Sequence, residues 1–249
     1  MRLIWFFLLL LLTACSRQTD TYVRKCGIHT ALLKDTLCLA GPIDATMSEW
    51  VARTAGDYSR VEIFSNGGRI DEALTISEQL EREQVEVNIT GPCLSACARY
   101  IVTAKTNVRI HQSAWIGLHR GRPGPFADDR CSTFETDEGK RECLLSIREA
   151  NETLLKADAF LEQNAVAGRL VSAYETAVAA SGRTIDEFIN NGGLRENVFL
   201  LVEADLLEAP GIRIEHGYGE SETLTFCDVK RSNLIMPRGG CDVGNAMVH

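Results

Sequence analysis

Hydrophobic and polar residues follow two different spacings along this chain, one typical of strands and one typical of helices. Residues 85–90 alternate apolar with polar side chains and are a predicted strand, as are residues 61–65. Residues 69–83 instead repeat apolar side chains on one helical face, which predicts an amphipathic helix. Residues 46–56 have the same helical spacing, and Thr46 is the predicted N-cap.

The same two spacings continue along the rest of the chain. Further predicted strands cover residues 36–44, 108–111, 114–119 and 197–201. Further predicted helices cover residues 95–105 and 144–180. A break in the second of these helices is expected near Gly168. Because strands and helices alternate, the predicted fold class is α/β, with a mostly parallel sheet covered by helices and with helices near the C-terminus.

The first residues are predicted to be a targeting signal. Arg2 precedes an apolar run that is too short for a membrane span and is typical of a signal peptide. The run ends at residues 12–15 (LTAC), which resemble the bacterial lipobox, so Cys15 is the predicted lipidated first residue of the mature protein. The resemblance implies an anchor on the periplasmic face of the cell envelope, and Ser16 favours the outer membrane. An ordinary secretory signal is the alternative.

These signals and the strand pattern divide the chain into four segments. Residues 1–14 are the predicted signal peptide, and residues 15–35 are a lipidated tether. Residues 36–212 form the predicted domain, and residues 213–249 are a turn-rich tail. Glycines and prolines after residue 120 mark residues 121–143 as a loop inserted in the domain.

Charge and cysteine content narrow the function further. With 26 Lys and Arg against 34 Asp and Glu, the net charge is -8, and no polybasic patch suggests a nucleic-acid partner. Eight cysteines accompany Cys15, and an even number in an exported chain predicts disulfides. The pairs close in sequence are Cys26 and Cys38, Cys131 and Cys143, and Cys227 and Cys241. Their spacing does not fit a zinc site, and no metal is predicted.

Cys93 and Cys97 leave three alternatives open. They are buried thiols, a disulfide or a redox pair, although the CxxxC spacing differs from the CxxC of redox motifs.

A serine and a histidine form the candidate chemistry of the chain. Ser95 lies in a turn of small residues (91–98) after a predicted strand, and His119 ends the strand 114–119. Ligands of parallel sheets bind at the carboxyl ends of strands, so both side chains are expected at one sheet edge. A serine between strand and helix with a histidine nearby is typical of a nucleophile and its base. The alternative is that Ser95 is only an N-cap.

Two backbone N–H groups are candidate donors to an oxyanion. Ser95 would start the predicted helix, and the Ala96 N–H lies at this helix end, where free N–H groups favour negative charge. The turn at Gly67 follows a strand on the same edge, and glycine lets a backbone N–H approach a ligand closely. The alternative is that Gly67 only turns the chain. The remaining histidines, His111 among them, have no supporting neighbours and are expected at the surface.

Four motifs together resemble the ClpP/crotonase fold. They are residues 41–44 (GPID), 65–70 (SNGGRI), 91–98 and 117–119 (GLH). The segment CLSAC resembles the C-x-S-A-C motif of exported ClpP-like serine proteases. The resemblance covers roughly residues 36–212 and implies a spiral of ββα units. It also implies a peptide or protein substrate, and a homo-oligomer is a further candidate partner.

The resemblance implies a role for each matching residue. Ser95 would be the nucleophile and His119 the general base, with Gly67 and Ala96 as oxyanion donors. The family places an aspartate at the position that Asn197 holds here, and this is a departure from its pattern. Asparagine can orient the histidine but cannot stabilise an imidazolium by charge.

Glu196 or Asp186 are alternatives for the third position. The expected function is therefore serine endopeptidase activity through an acyl-enzyme, with no cofactor. A catalytically inactive ClpP-like scaffold of the periplasm is the alternative.

Overall fold

In the part of the chain that the computed structural model describes, nine strands pair into one sheet. The structure describes residues 26, 30–118, 125–180, 198–216, 218 and 226–228. The strands are β1 (Ala31–Leu33), β2 (Thr36–Ala40), β3 (Arg60–Ser65), β4 (Glu86–Leu94), β5 (Asn107–Ile110), β6 (Trp115–Leu118), β7 (Val198–Leu201), β8 (Ile212–Ile214) and β9 (Phe226–Asp228).

The sheet is parallel at its centre and antiparallel at its edges. Strands β2, β3 and β4 are parallel neighbours, β4 also pairs in parallel with β5 and β6, and β5 pairs in parallel with β8. The pairs β1–β2, β6–β7 and β7–β9 are antiparallel. The predicted α/β class is therefore confirmed, but the sheet is mixed.

Besides β3, strand β4 pairs with two further strands. Its first part, residues 86–89, pairs with β5, and its last part, residues 92–94, pairs with β6. Gly91 lies at the change of partner, and a Cβ there would come within 2.5 Å of the Phe64 ring. The sequence prediction ended this strand at residue 90, but the pairing with β6 carries it on to Leu94. Ser95 consequently follows the end of a paired strand.

Helices cover the sheet. They are α1 (Ala45–Arg53), α2 (Ile70–Glu83), a π-helical turn (Cys97–Ile101), a 3-10 helix (Asp128–Thr133), α3 (Asp137–Gln163), α4 (Ala165–Ala180) and α5 (Ala204–Leu207). None of these helices has both the length and the apolar character needed to cross a membrane. Helix α2 buries Ala73, Leu74, Ser77 and Leu80, as its spacing predicted.

At three helix boundaries the prediction is wrong, because a polar side chain caps the helix at another residue. Helix α3 begins at Asp137 rather than at residue 144, and Thr136 caps it by accepting a hydrogen bond from the Gly139 N–H at 3.1 Å. Asp44, rather than Thr46, caps α1 by accepting a hydrogen bond from the Met47 N–H at 3.0 Å. The long helical stretch breaks at Asn164, rather than at Gly168. The Asn164 side chain accepts from the Ala167 N–H at 3.1 Å. It also donates to the carbonyl of Thr103, which lies two residues after the π-helical turn, so this hydrogen bond joins the helix break to that part of the chain.

A buried polar network on the sheet contradicts the expected surface position of His111. Only 2% of His111 is exposed. Its Nδ1 lies 3.0 Å from Glu215 Oε1, and its Nε2 lies 3.3 Å from Asn88 Oδ1. Arg109 donates to the same Glu215 oxygen at 2.7 Å. Burial lowers the pKa of His111, and Glu215 opposes this effect. His111 is therefore a buried member of a polar network rather than a surface residue.

Candidate active site

Ser95 has a strained backbone between strand β4 and the π-helical turn. Its φ is +56°, a left-handed value that is uncommon outside glycine and costs about 1–2 kcal/mol. The Ser95 N–H donates to the Gly117 carbonyl at 2.8 Å, and its carbonyl accepts from the Arg99 N–H at 3.1 Å. An N-cap residue normally has extended backbone, so the N-cap alternative does not fit Ser95. Strain of this kind concentrates at functional sites.

A disulfide bridges the two sides of this turn. Cys93 and Cys97 are bonded, with their Cα atoms 5.1 Å apart, and both are fully buried. Of the three alternatives for this pair, the disulfide is the one that the structure shows. The bond joins the last part of β4 to the first residue of the π-helical turn, so it closes a small ring around Ser95. The other described pairs, Cys26–Cys38 and Cys131–Cys143, are also bonded, as their spacing predicted.

The glycine turn after β3 packs directly against Ser95. Gly67 has a φ of +87°, and a Cβ at this position would lie 2.5 Å from the Leu94 carbonyl oxygen. The same Cβ would lie 2.6 Å from Ser95 Cβ and 3.1 Å from the Ala96 nitrogen. Contacts below 3.0 Å are not tolerated, so only glycine fits. The structure therefore brings Gly67, Ser95 and Ala96 together.

The Gly67 N–H already has a hydrogen-bond acceptor. It donates to Ser65 Oγ at 3.1 Å, and Ser65 is fully buried at the end of β3. Ser65 begins the motif at residues 65–70, but no role was predicted for it from the sequence. The Ser65 hydroxyl therefore accepts a hydrogen bond from the Gly67 N–H, which was predicted to donate to an oxyanion.

Two predicted site residues, His119 and Asn197, lie outside the described residues, as do Asp186, Glu196, Cys15 and Cys241. Strand β6 ends at Leu118 and strand β7 begins at Val198. These two strands are antiparallel neighbours, with Leu118 opposite Leu200.

A cavity of about 580 Å³ lies beside Ser95. This volume is within the range of small-ligand sites. The lining residues from the two turns and the helices that follow them are Gly68, Arg69, Ile70, Asp71, Ser95, Ala96, Arg99 and Tyr100. Helix α3 and the segment before it supply the other lining residues, which are Phe126, Ser146, Glu149, Ala150, Thr153 and Leu154. Among the residues that the structure describes, no group of three or more His, Cys, Asp or Glu side chains is placed to hold a metal ion.

Comparison with known proteins gives a limited result. No protein-family model and no curated protein matches the chain. Among solved structures, the chain is similar to a ClpP1 mutant from Listeria monocytogenes, with a TM-score of 0.33 and 18% identity. The similarity covers 50% of this chain and 72% of that one. A similarity of this size assigns no function. The function proposed below therefore rests on the geometry around Ser95.

Proposed function

We propose that this protein is a ClpP-like serine peptidase of the cell envelope, with Ser95 as its nucleophile. The observation that carries the proposal is the left-handed backbone of Ser95 beside a cavity of about 580 Å³. A serine that caps the N-terminus of a helix has extended backbone and does not need this strain. The close contact with Gly67 and the disulfide around the turn support the same assignment.

The proposed reaction is acyl transfer in two halves. Ser95 Oγ attacks the carbonyl carbon of the peptide bond while His119 takes its proton. The tetrahedral intermediate collapses, the C–N bond breaks, and His119 returns the proton to the leaving amine. A water molecule then hydrolyses the acyl-enzyme with His119 again as the base. Asn197 would orient His119 by accepting a hydrogen bond from its ring.

The oxyanion donors would be the N–H groups of Ala96 and Gly67. The Gly67 N–H must release Ser65 Oγ before it can bind the substrate oxygen. A charged oxyanion is a stronger acceptor than a neutral hydroxyl, so this exchange becomes favourable as the intermediate forms. The donor would then act in the transition state more than in the ground state, which is the condition for catalysis.

A fluorophosphonate probe tests the assignment of Ser95. We expect the folded wild type to be labelled at Ser95 and Ser95→Ala to remain unlabelled. Ser146 lines the same cavity, so Ser146→Ala is the matched control and should be labelled like the wild type. His119→Ala should slow labelling by about 100-fold or more, because general-base catalysis is lost. A folded wild type that resists the probe would overturn the peptidase proposal and favour the inactive scaffold.

We also propose that Cys15 carries a lipid that anchors the protein to the periplasmic face of the envelope. The support is the LTAC sequence after an apolar run. Cys15→Ser should move the protein from the membrane fraction to the soluble fraction of the cell, and Cys26→Ser should not. Equal membrane fractions of Cys15→Ser and wild type would contradict the anchor.

A further inference from the structure

Arg99 introduces a nearly buried positive charge beside the candidate nucleophile. It lies four residues after Ser95, in the π-helical turn whose five residues are all buried. Only 6% of Arg99 is exposed, and it lines the same cavity as Ser95. Short π-helical segments occur frequently at functional sites. A cation held in this way is therefore a candidate group for ligand binding.

The backbone of Arg99 is fixed relative to Ser95. Its N–H donates to the Ser95 carbonyl at 3.1 Å, and its own carbonyl accepts a hydrogen bond from Thr103 Oγ1 at 2.6 Å. The Cys93–Cys97 disulfide fastens the beginning of the same turn. The turn therefore holds the nucleophile and the cation at a constant separation before any ligand binds.

The other charged residues of the cavity are more exposed than Arg99. Arg69 and Asp71 form an ion pair with each other, in which the Arg69 Nε–H donates to Asp71 Oδ1 at 3.1 Å, and their side chains are 64% and 39% exposed. Glu149 is exposed on α3. Water and salt screen exposed charges strongly, whereas nearly buried charges are screened much less. The local potential beside Ser95 therefore depends mainly on Arg99.

The chemistry of a guanidinium indicates which group of a peptide it would bind. Its planar fork of five N–H donors matches the two oxygens of a carboxylate. Arg99 also interacts within the protein, and five donors allow one side chain to keep such contacts while it binds a ligand. The net charge of -8 gives the chain no general attraction for anionic peptides. A preference for a carboxylate would therefore come from this local contact.

We propose that Arg99 determines substrate specificity by binding a carboxylate of the peptide substrate close to the scissile bond. This inference rests on the proposed function, because it names the substrate class of the same site. The carboxylate belongs either to an Asp or Glu side chain before the cleaved bond or to the C-terminus of a peptide that is cleaved near its end. Both sources present the same two oxygens to the guanidinium.

Two series of acetylated peptides test the proposal and distinguish the two sources. The first series has Glu, Gln or Lys before the cleaved bond, and the second compares the free acid of a neutral peptide with its amide. For one of the two series, we expect the wild type to cleave the carboxylate about 10–100-fold more efficiently than the matching amide, as measured by kcat/KM, because charged hydrogen bonds are the stronger ones. Equal efficiencies in both series overturn the proposal.

Variants of two arginines test whether Arg99 is the source of the preference. Arg99→Met removes the charge but keeps a long side chain, so it should abolish the preference for the carboxylate. Arg99→Lys keeps the charge without the fork and should retain part of the preference. Arg69→Met is the matched control, because Arg69 lines the same cavity but is exposed and paired with Asp71, and its preference should remain within about twofold of the wild type. A structural role of Arg99 alone would change both peptides of a series equally.

A binding measurement separates this inference from the proposed function. The same peptides are titrated against Ser95→Ala and against Ser95→Ala with Arg99→Met, which needs no turnover. Tighter binding of the carboxylate than of the amide, lost in the double variant, supports the carboxylate site even if the fluorophosphonate probe fails. Equal binding of carboxylate and amide to folded Ser95→Ala overturns the site even if the probe labels Ser95, and this comparison does not depend on the folding of Arg99→Met. A preference that persists in the folded double variant also overturns it.

Discussion

Replacement of Gly67 by alanine is expected to lower the free energy of unfolding by about 2–5 kcal/mol and to abolish labelling of Ser95. The left-handed φ contributes about 1–2 kcal/mol of this loss. Overpacking of the new Cβ against Leu94 and Ser95 contributes about 1–3 kcal/mol more. Relief of the contact would move the turn away from Ser95. The rate of Ser95 labelling should therefore fall even in the absence of denaturant. Denaturant unfolding and the rate of fluorophosphonate labelling measure the two effects.

Gly56 provides a matched control for this prediction. Its φ of +83° is nearly that of Gly67, but a Cβ there would meet nothing within 4 Å. Gly56→Ala should therefore show only the conformational loss of about 1–2 kcal/mol, with normal labelling. Equal losses of stability in the two variants would show that the close contact at Gly67 has no energetic weight.

Removal of the Cys93–Cys97 disulfide is expected to slow labelling of Ser95 by at least about 10-fold. The ring that this bond closes is short, so the Cys93→Ala/Cys97→Ala variant should lose only about 2 kcal/mol of stability. The larger effect should be on the site, because the bond restrains the strained turn that holds Ser95. A loss of about 1.4 kcal/mol in the positioning of the nucleophile corresponds to a tenfold slower reaction.

The Cys26–Cys38 disulfide separates stability from reactivity. It closes a longer ring, with a sequence separation of 12, so its removal should cost about 3 kcal/mol. It joins the start of the described chain to β2, and labelling of Ser95 should remain within about twofold of the wild type after a Cys26→Ala/Cys38→Ala exchange. If the labelling rates of the two variants instead follow their stabilities, the Cys93–Cys97 bond has no specific role at the site.

Strong periodicity made most of the described fold predictable. Residues 69–83 repeat apolar side chains over four turns, and α2 covers Ile70–Glu83. Strands β1, β8 and β9 have three residues each, which is too short for a periodic pattern, and the sequence did not predict them. Strand β4 passes residue 90 because β6 pairs with its last part, a tertiary contact that local spacing does not record.

The candidate site was partly predictable for a similar reason. Gly67 is the residue type that a left-handed turn requires. The turns that hold Gly67 and Ser95 both follow strands, so their meeting at one sheet edge follows from topology. The hydrogen bond from Gly67 to Ser65 depends on the orientation of one side chain, for which the motif at residues 65–70 gave no role. Phe126 was predicted only as part of an inserted loop. The hydrogen bond that holds its backbone comes from Asn151, 25 residues later in the chain, so local sequence does not indicate it.

The pairing of β6 determines when the candidate site can form during synthesis of the chain. The Ser95 N–H binds the carbonyl of Gly117 in β6, and β6 pairs on its other side with β7. In addition, the Val202 N–H donates to the Ile116 carbonyl at 2.8 Å. A growing chain that has reached β6 has no partner for this side of the strand until residues 198–202 are synthesised. The strand that supports the nucleophile therefore stays an open sheet edge from the synthesis of residue 118 until that of residue 198, and the site is completed only then.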